Sequence, residues 1–117
     1  MPAPLERDRQ YSDKFLDEEF FLVVDFSERL PAGITIAPRN TGHTVTFFRV
    51  SDGVDVTTTL CDVSTLGPDP TNTALQVNML PTAVGTEGLY RGVFKAKTTA
   101  AVQDFEVMET WVRIRSQ

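Results

Sequence analysis

The pattern of apolar and polar positions takes on a two-residue period at Phe20. In residues 20–26 the even positions Phe20, Leu22, Val24 and Phe26 form one apolar face, in a run rich in β-branched and aromatic residues. Leu30-Pro31-Ala32-Gly33 ends that run as a turn. Residues 34–36 then read as a short second strand, stopped by Pro38-Arg39-Asn40-Thr41-Gly42. Residues 43–50 read as a third strand, closed by the hairpin turn Ser51-Asp52-Gly53. A fourth covers residues 54–63, with Val56, Thr58 and Leu60 on one face, and Gly67-Pro68-Asp69-Pro70 follows as a loop. Residues 74–80 alternate through Leu75, Val77 and Met79, and residues 81–88 are loop. Residues 89–97 place Tyr90, Phe94 and Ala96 on one side. After a turn region at 98–104, the last strand covers residues 105–115.

About seven short strands with a turn signal every ten residues or so is the signature of a β-sandwich. Strands with one apolar side must hide it, and two sheets packed face to face do so. The expected fold is therefore all-β, an immunoglobulin-like β-sandwich, with a closed barrel as the alternative. Two domains are expected in the loose sense: an extended N-terminal arm, residues 1–19, and the sandwich, residues 20–117. Pro2 and Pro4 disfavour helix in the first ten residues. A short helical turn is expected next, capped by Ser12, with Tyr11 packed on Leu16. The arm is expected either to fray as a free terminus or to lie on a neighbouring subunit.

Not every large apolar side chain fits one core. Along residues 105–115, Met108, Thr110, Val112 and Ile114 look inward, which turns Val107, Trp111 and Arg113 outward. Phe47 and Phe48 point opposite ways, so one of them must also leave the core. Trp, Phe and Arg are favoured anchors of protein interfaces. Either a bulge or loop covers these groups, or they form a candidate interface of Phe48, Val107, Trp111 and Arg113, together with Tyr11, Phe15 and Leu16 from the arm.

Composition narrows the class. At 117 residues, 41% of them hydrophobic, there is enough chain for one core and too little for two. The net charge of -5, with the basic residues scattered along the chain, argues against a nucleic-acid partner. The single cysteine allows no internal disulfide, there is no Asn-x-Ser/Thr sequon, and the N-terminus lacks a signal-peptide pattern. No apolar run could span a bilayer. Synthesis in the cytoplasm and no membrane partner are the expectations.

No constellation of catalytic groups emerges. His43 is the only histidine and is expected to be exposed; Cys61 is expected to be a buried, inert thiol. One Cys and one His cannot make a zinc site. Ser51-Asp52-Gly53-Val54-Asp55 lacks the downstream glutamate of a calcium loop and reads as a turn. No phosphate-binding glycine motif occurs. No catalytic residue, metal or cofactor is expected, and the chain is read as a binding or structural protein, not an enzyme.

Two segments resemble a family of small tailed-phage virion proteins with an Ig-like fold, the fibre–tail adaptor or neck proteins. One is Val24-Asp25-Phe26-Ser27 running through Leu30 and Gly33 to Ile34-Thr35-Ile36. The other is Gly88-Leu89-Tyr90 with its alternating strand, the Thr98-Thr99 turn, and the closing strand from Met108 to Arg115. The resemblance implies a structural virion protein that joins other proteins at the neck, tail or fibre connection. Its partners would be other virion components, and its own copies would form a ring or symmetric array. The alternatives are a capsid decoration protein and a carbohydrate-binding Ig-like module built on Trp111, Tyr90, Tyr11 and Phe48.

Overall fold

A computed structural model describes residues 9–101 and 105–116, with the backbone alone for residues 9–11. The seven strands are β1 (Arg9–Phe15), β2 (Phe20–Asp25), β3 (Thr44–Arg49), β4 (Cys61–Pro68), β5 (Ala74–Met79), β6 (Gly88–Lys97) and β7 (Phe105–Arg115). They form two sheets, β1-β7-β6-β3 and β2-β5-β4. Pairing is antiparallel except for β1, which runs parallel to β7. This is the Ig-like arrangement, with the second, fifth and fourth strands facing the seventh, sixth and third. The sheets are separate, so the barrel alternative falls.

The inward faces match the alternation read from the sequence. Leu22, Val24 and Phe26, then Leu75, Val77 and Met79, then Tyr90, Phe94 and Ala96, and finally Val112 and Ile114 are all buried. Phe47 is the aromatic that enters the core, with its ring edge-on to Phe94 at 5.9 Å between centroids. A Cβ built on Gly92 would lie 2.6 Å from Phe47 Cε1 and 2.8 Å from Thr110 Cγ2. Gly92 stands two residues after Tyr90, where antibody domains place the second cysteine of their inter-sheet disulfide. The third-strand aromatic therefore fills the space that a disulfide would otherwise occupy. The Tyr90 hydroxyl donates to Thr86 O at 2.6 Å and ties the loop back onto β6.

Four expectations for the strands and loops change. Residues 12–16 form no helical turn. Arg9–Phe15 is a strand added to the first sheet, in register from Arg9↔Glu109 to Phe15↔Arg115. Its signal was weak because its inward positions are polar, Ser12 half-buried and Lys14 buried. Residues 1–8, the outer part of the expected arm, lie outside the described residues, as do 102–104 of the last turn region.

Residues 34–36 form no strand, only a single bridge between Ile36 and Thr98. The segment spans the ends of both sheets. Ile36 N donates to Asn72 O beside β5, Ala37 N to Lys97 O, and Thr99 N to Thr35 O beside β6. A chain bonded to both sheets at once cannot extend within either.

Residues 54–63 divide into a bridge from Asp55 to Phe48, a single helical turn α1 (Thr57–Leu60) and the start of β4. Val56 and Leu60 are four apart, a spacing that a helix face and a strand face share. The local chemistry decides between them. Asp55 Oδ1 accepts from Thr57 Oγ1 and Thr57 N, which turns the chain, and Leu60 N donates to Val56 O. Gly67 and Pro68 then belong to β4 instead of the expected loop.

The buried lysine is held at the end of β1. Lys14 is 1% exposed, and its ammonium donates to Phe15 O at 3.0 Å and Leu16 O at 3.2 Å. Burial lowers its pKa from the ordinary 10.5, against the opposing pull of Glu18 and Asp17.

Two outcomes are expected in urea unfolding. Gly92→Ala forces Phe47 or Thr110 to move and lowers stability by about 2 kcal/mol. A Lys14→Met protein keeps the packed stem and loses the desolvated charge, and stays within about 1 kcal/mol of the parent near neutral pH. The unfolded chain holds the Lys14 proton more tightly than the folded one. Parent stability therefore climbs as pH rises toward 10.5 through this group, and Lys14→Met lacks that contribution.

Candidate functional site

The outward face of the first sheet gathers what the sequence leaves scattered. With Tyr90, Phe94 and Ala96 turned inward, β6 must present Leu89, Arg91, Val93, Lys95 and Lys97 on its other side. The same alternation on β7 presents Phe105, Val107, Glu109, Trp111, Arg113 and Arg115. Register then sets them side by side: Leu89 faces Arg113, Arg91 faces Trp111, Val93 faces Glu109 and Lys95 faces Val107. On the far side Phe48 faces Arg91, and on the near side Tyr11 faces Trp111. One row therefore crosses all four strands as Tyr11, Trp111, Arg91 and Phe48.

The row is held together. The Arg91 guanidinium lies 5.4 Å from the centroid of the Phe48 ring and bonds Glu109 Oε2 at 2.7 Å. That holds a flexible cation over an aromatic ring, where cation–π attraction contributes. Trp111 is half-buried and forms the wall between two open hollows. One is lined by Phe48, Arg49, Val50, Gly53 and Arg91, the other by Ser12, Asp13, Leu89, Arg113 and Arg115. At the far end of the face, Lys95 Nζ and Lys97 Nζ sit 4.3 Å and 5.2 Å from the Phe105 ring centroid. Arg115 Nε bonds Asp13 Oδ1 at 3.1 Å.

The candidate interface residues divide as follows. Phe48, Trp111, Arg113 and Val107 share this face, with Val107 45% exposed. Tyr11 holds a register position on it. Phe15 is exposed at the end of β1, opposite Arg115. Leu16 departs from the expectation: it packs against the core, its N–H bonded to Arg115 O, because the chain leaves β1 there and turns inward. The expectation that the basic residues are scattered is also corrected, since alternation brings Arg91, Lys95, Lys97, Arg113 and Arg115 to one side. Arg91, Leu89 and Lys95 were missed. Their outward direction was readable from the period, but their neighbours were not.

The aromatic platform considered for a sugar is incomplete. Tyr90 is 3% exposed and spends its hydroxyl on Thr86 O, so it faces the core and not Trp111. His43 is half-buried, contrary to the exposed ring expected. Its Nδ1 accepts from Lys97 N at 3.0 Å and its Nε2 lies 2.9 Å from Ala37 O, so the ring clips the 34–42 segment to β6. Asp52 and Asp55 turn to separate partners. The Val54 N–H, and after it the Arg49 guanidinium, hold Asp52 below the usual carboxylate range, whereas Asp55 is held down by Thr57. Among the described residues no group of three His, Cys, Asp or Glu side chains could hold a metal ion, and no helix is long and apolar enough to cross a membrane.

Cys61 is buried, and its thiol lies 3.4 Å from Thr57 O. Desolvation, then the charge of Asp62, pushes its pKa up to about 12. At about pH 8 a thiol-specific reagent is expected to modify the folded protein roughly a thousandfold more slowly than the chain unfolded in urea, where the ordinary thiol pKa returns.

No protein-family model and no curated protein matches the chain. Among solved structures it is similar to the titin M10–obscurin-like 1 Ig complex, at 11% identity over 93% of this chain and 88% of that one, with a TM-score of 0.42. The Ig-like assignment is carried by the strand order, the register and the Tyr90 corner of the chain itself.

Proposed function

We propose that the chain is a non-catalytic structural protein that attaches to other proteins through the outer face of the β1-β7-β6-β3 sheet, centred on Trp111. The observation that carries this reading is the row Trp111, Arg91 and Phe48: two aromatics and an arginine, side by side on a rigid sheet, with the guanidinium already ordered. Ordering an arginine before contact removes part of the entropy cost of binding. Trp and Arg are the side chains that contribute most when buried at the centre of an interface. The hollows on either side of Trp111 would accept side chains from the partner.

The assembly is proposed to be the virion of a tailed bacteriophage, at its neck, tail or fibre connection. The likeness of residues 24–36, 88–99 and 108–115 to the adaptor and neck proteins supports that placement. The direct test is to purify particles on a gradient and measure the protein in them by mass spectrometry. The protein is expected in the particles. Arg113→Ala combined with Phe48→Ala is expected to weaken attachment by about 2 kcal/mol or more while the fold persists. Absence of the protein from intact particles would overturn the virion placement, and undiminished attachment of the double variant would overturn the face.

A further inference from the structure

The two broad faces of the slab carry opposite charge. The three strands of the second sheet (FFLVVD, ALQVNM and CDVSTLGP) contain Asp25 and Asp62 and no lysine or arginine. Glu19 adds a carboxylate there, accepting from Asn78 Nδ2 at 2.7 Å on β5. Arg39, from a loop, lies over Gly67 and donates to Ser64 O on β4. The outward side of this sheet also has an apolar component: Phe21 and Val23 on β2 are 51% and 41% exposed. Phe21 stands in register with Asn78 and through it with Asp62, so ring and carboxylate share one row.

The first sheet is its complement. Its centre is Phe48, Arg91 and Trp111, with Val107 exposed nearby. Lys95 and Arg113 bridge no acid among the described residues. We propose that this basic, aromatic face takes as its partner the acidic, apolar face of a second copy of the chain, so that copies stack head to tail. The inference rests on the assignment of the attachment face above and goes further by naming what the face receives.

Charge disfavours the symmetric alternatives. Two copies meeting through their first sheets would oppose Lys95 and Arg113 to each other, and two meeting through their second sheets would oppose Asp25 and Asp62. The face-to-back arrangement sets the excess basic charge against the acidic sheet and apolar against apolar. A nucleic acid is the less favoured occupant, because Glu109 and Asp13 stand within the basic face and bond Arg91 and Arg115. A contact between unlike faces repeats until it closes into a ring or meets a different protein.

The test uses the full chain and two charge-reversed variants, Lys95→Glu/Arg113→Glu and Glu19→Lys/Asp25→Lys, each checked for cooperative unfolding. Sedimentation velocity of the parent is expected to show species that grow with concentration at about 0.05 M salt and dissociate toward about 1 M. Each variant alone is expected to lose at least about tenfold in association. Mixing the two restores dimers, because one variant keeps the acidic face and the other keeps the basic face. A monomeric parent at every concentration in low salt would overturn the proposal, as would a mixture that stays monomeric or variants that associate as well as the parent. Retention of the parent on immobilised DNA, lost in Lys95→Glu/Arg113→Glu without any self-association, would overturn it in favour of a polyanion. A monomeric parent that still enters particles through Phe48 and Arg113 would leave the attachment face standing and remove only the self-stacking.

Discussion

The close approach of Phe47 to Gly92 sets the geometry of the rest. The ring occupies the space that a side chain on Gly92 would need, and it meets Phe94 edge-on. Here β3 and β6 are hydrogen-bonded neighbours, and the filled space lies where they turn toward the opposite sheet. An Ig-like sandwich without a disulfide must gain its inter-sheet attachment from packing alone. Phe47, Phe94 and the buried aliphatic residues of β2, β5 and β7 provide it. Because Phe47 turns inward, the strand period sends Phe48 outward, and the row of Phe48, Arg91 and Trp111 follows from the core contact.

The edges of the sandwich are treated differently from each other. Along β3 the neighbouring chain supplies bonds: Arg49 N donates to Val54 O, Val56 N to Phe47 O, and Phe47 N to Thr57 Oγ1. Thr57 is in turn held by Asp55, so one threonine both turns the chain and closes the edge. On β4, Arg39 covers Gly67 and bonds Ser64 O. Covered edges do not recruit foreign strands. Among the described residues no such cover appears on the edges at β1 and β2, and the aromatic and charged residues lie on the broad sheet faces.

Charge separation is a property of the sandwich and not of its composition. A chain with net charge -5 still presents a basic surface, because β6 and β7 carry their lysines and arginines at outward positions while β2, β4 and β5 carry none. Within the basic face, Glu109 and Asp13 order two arginines without cancelling the excess. A surface of this kind steers approach at long range and fixes orientation at contact.

The sequence by itself determined the class of fold and most of the core. Leu22, Val24, Leu75, Val77, Phe94, Val112 and Ile114 follow a two-residue period, which burial of one strand face demands. It also turned Val107 and Trp111 away from the core and required one of Phe47 and Phe48 to leave it; the structure decided that Phe48 does. It did not reveal β1, whose inward Ser12 and Lys14 give no apolar signal; partners on β7 and backbone carbonyls at Phe15 and Leu16 make that strand. It read residues 34–36 and 54–60 as strands, because a period of two over so few residues does not distinguish a strand from a crossing segment or a helical turn. It named Tyr11, Phe48 and Trp111 but not Arg91, and it did not bring them into one row. Alternation gives a side chain its direction, but only register gives it neighbours, and register is a relation between strands far apart in the chain.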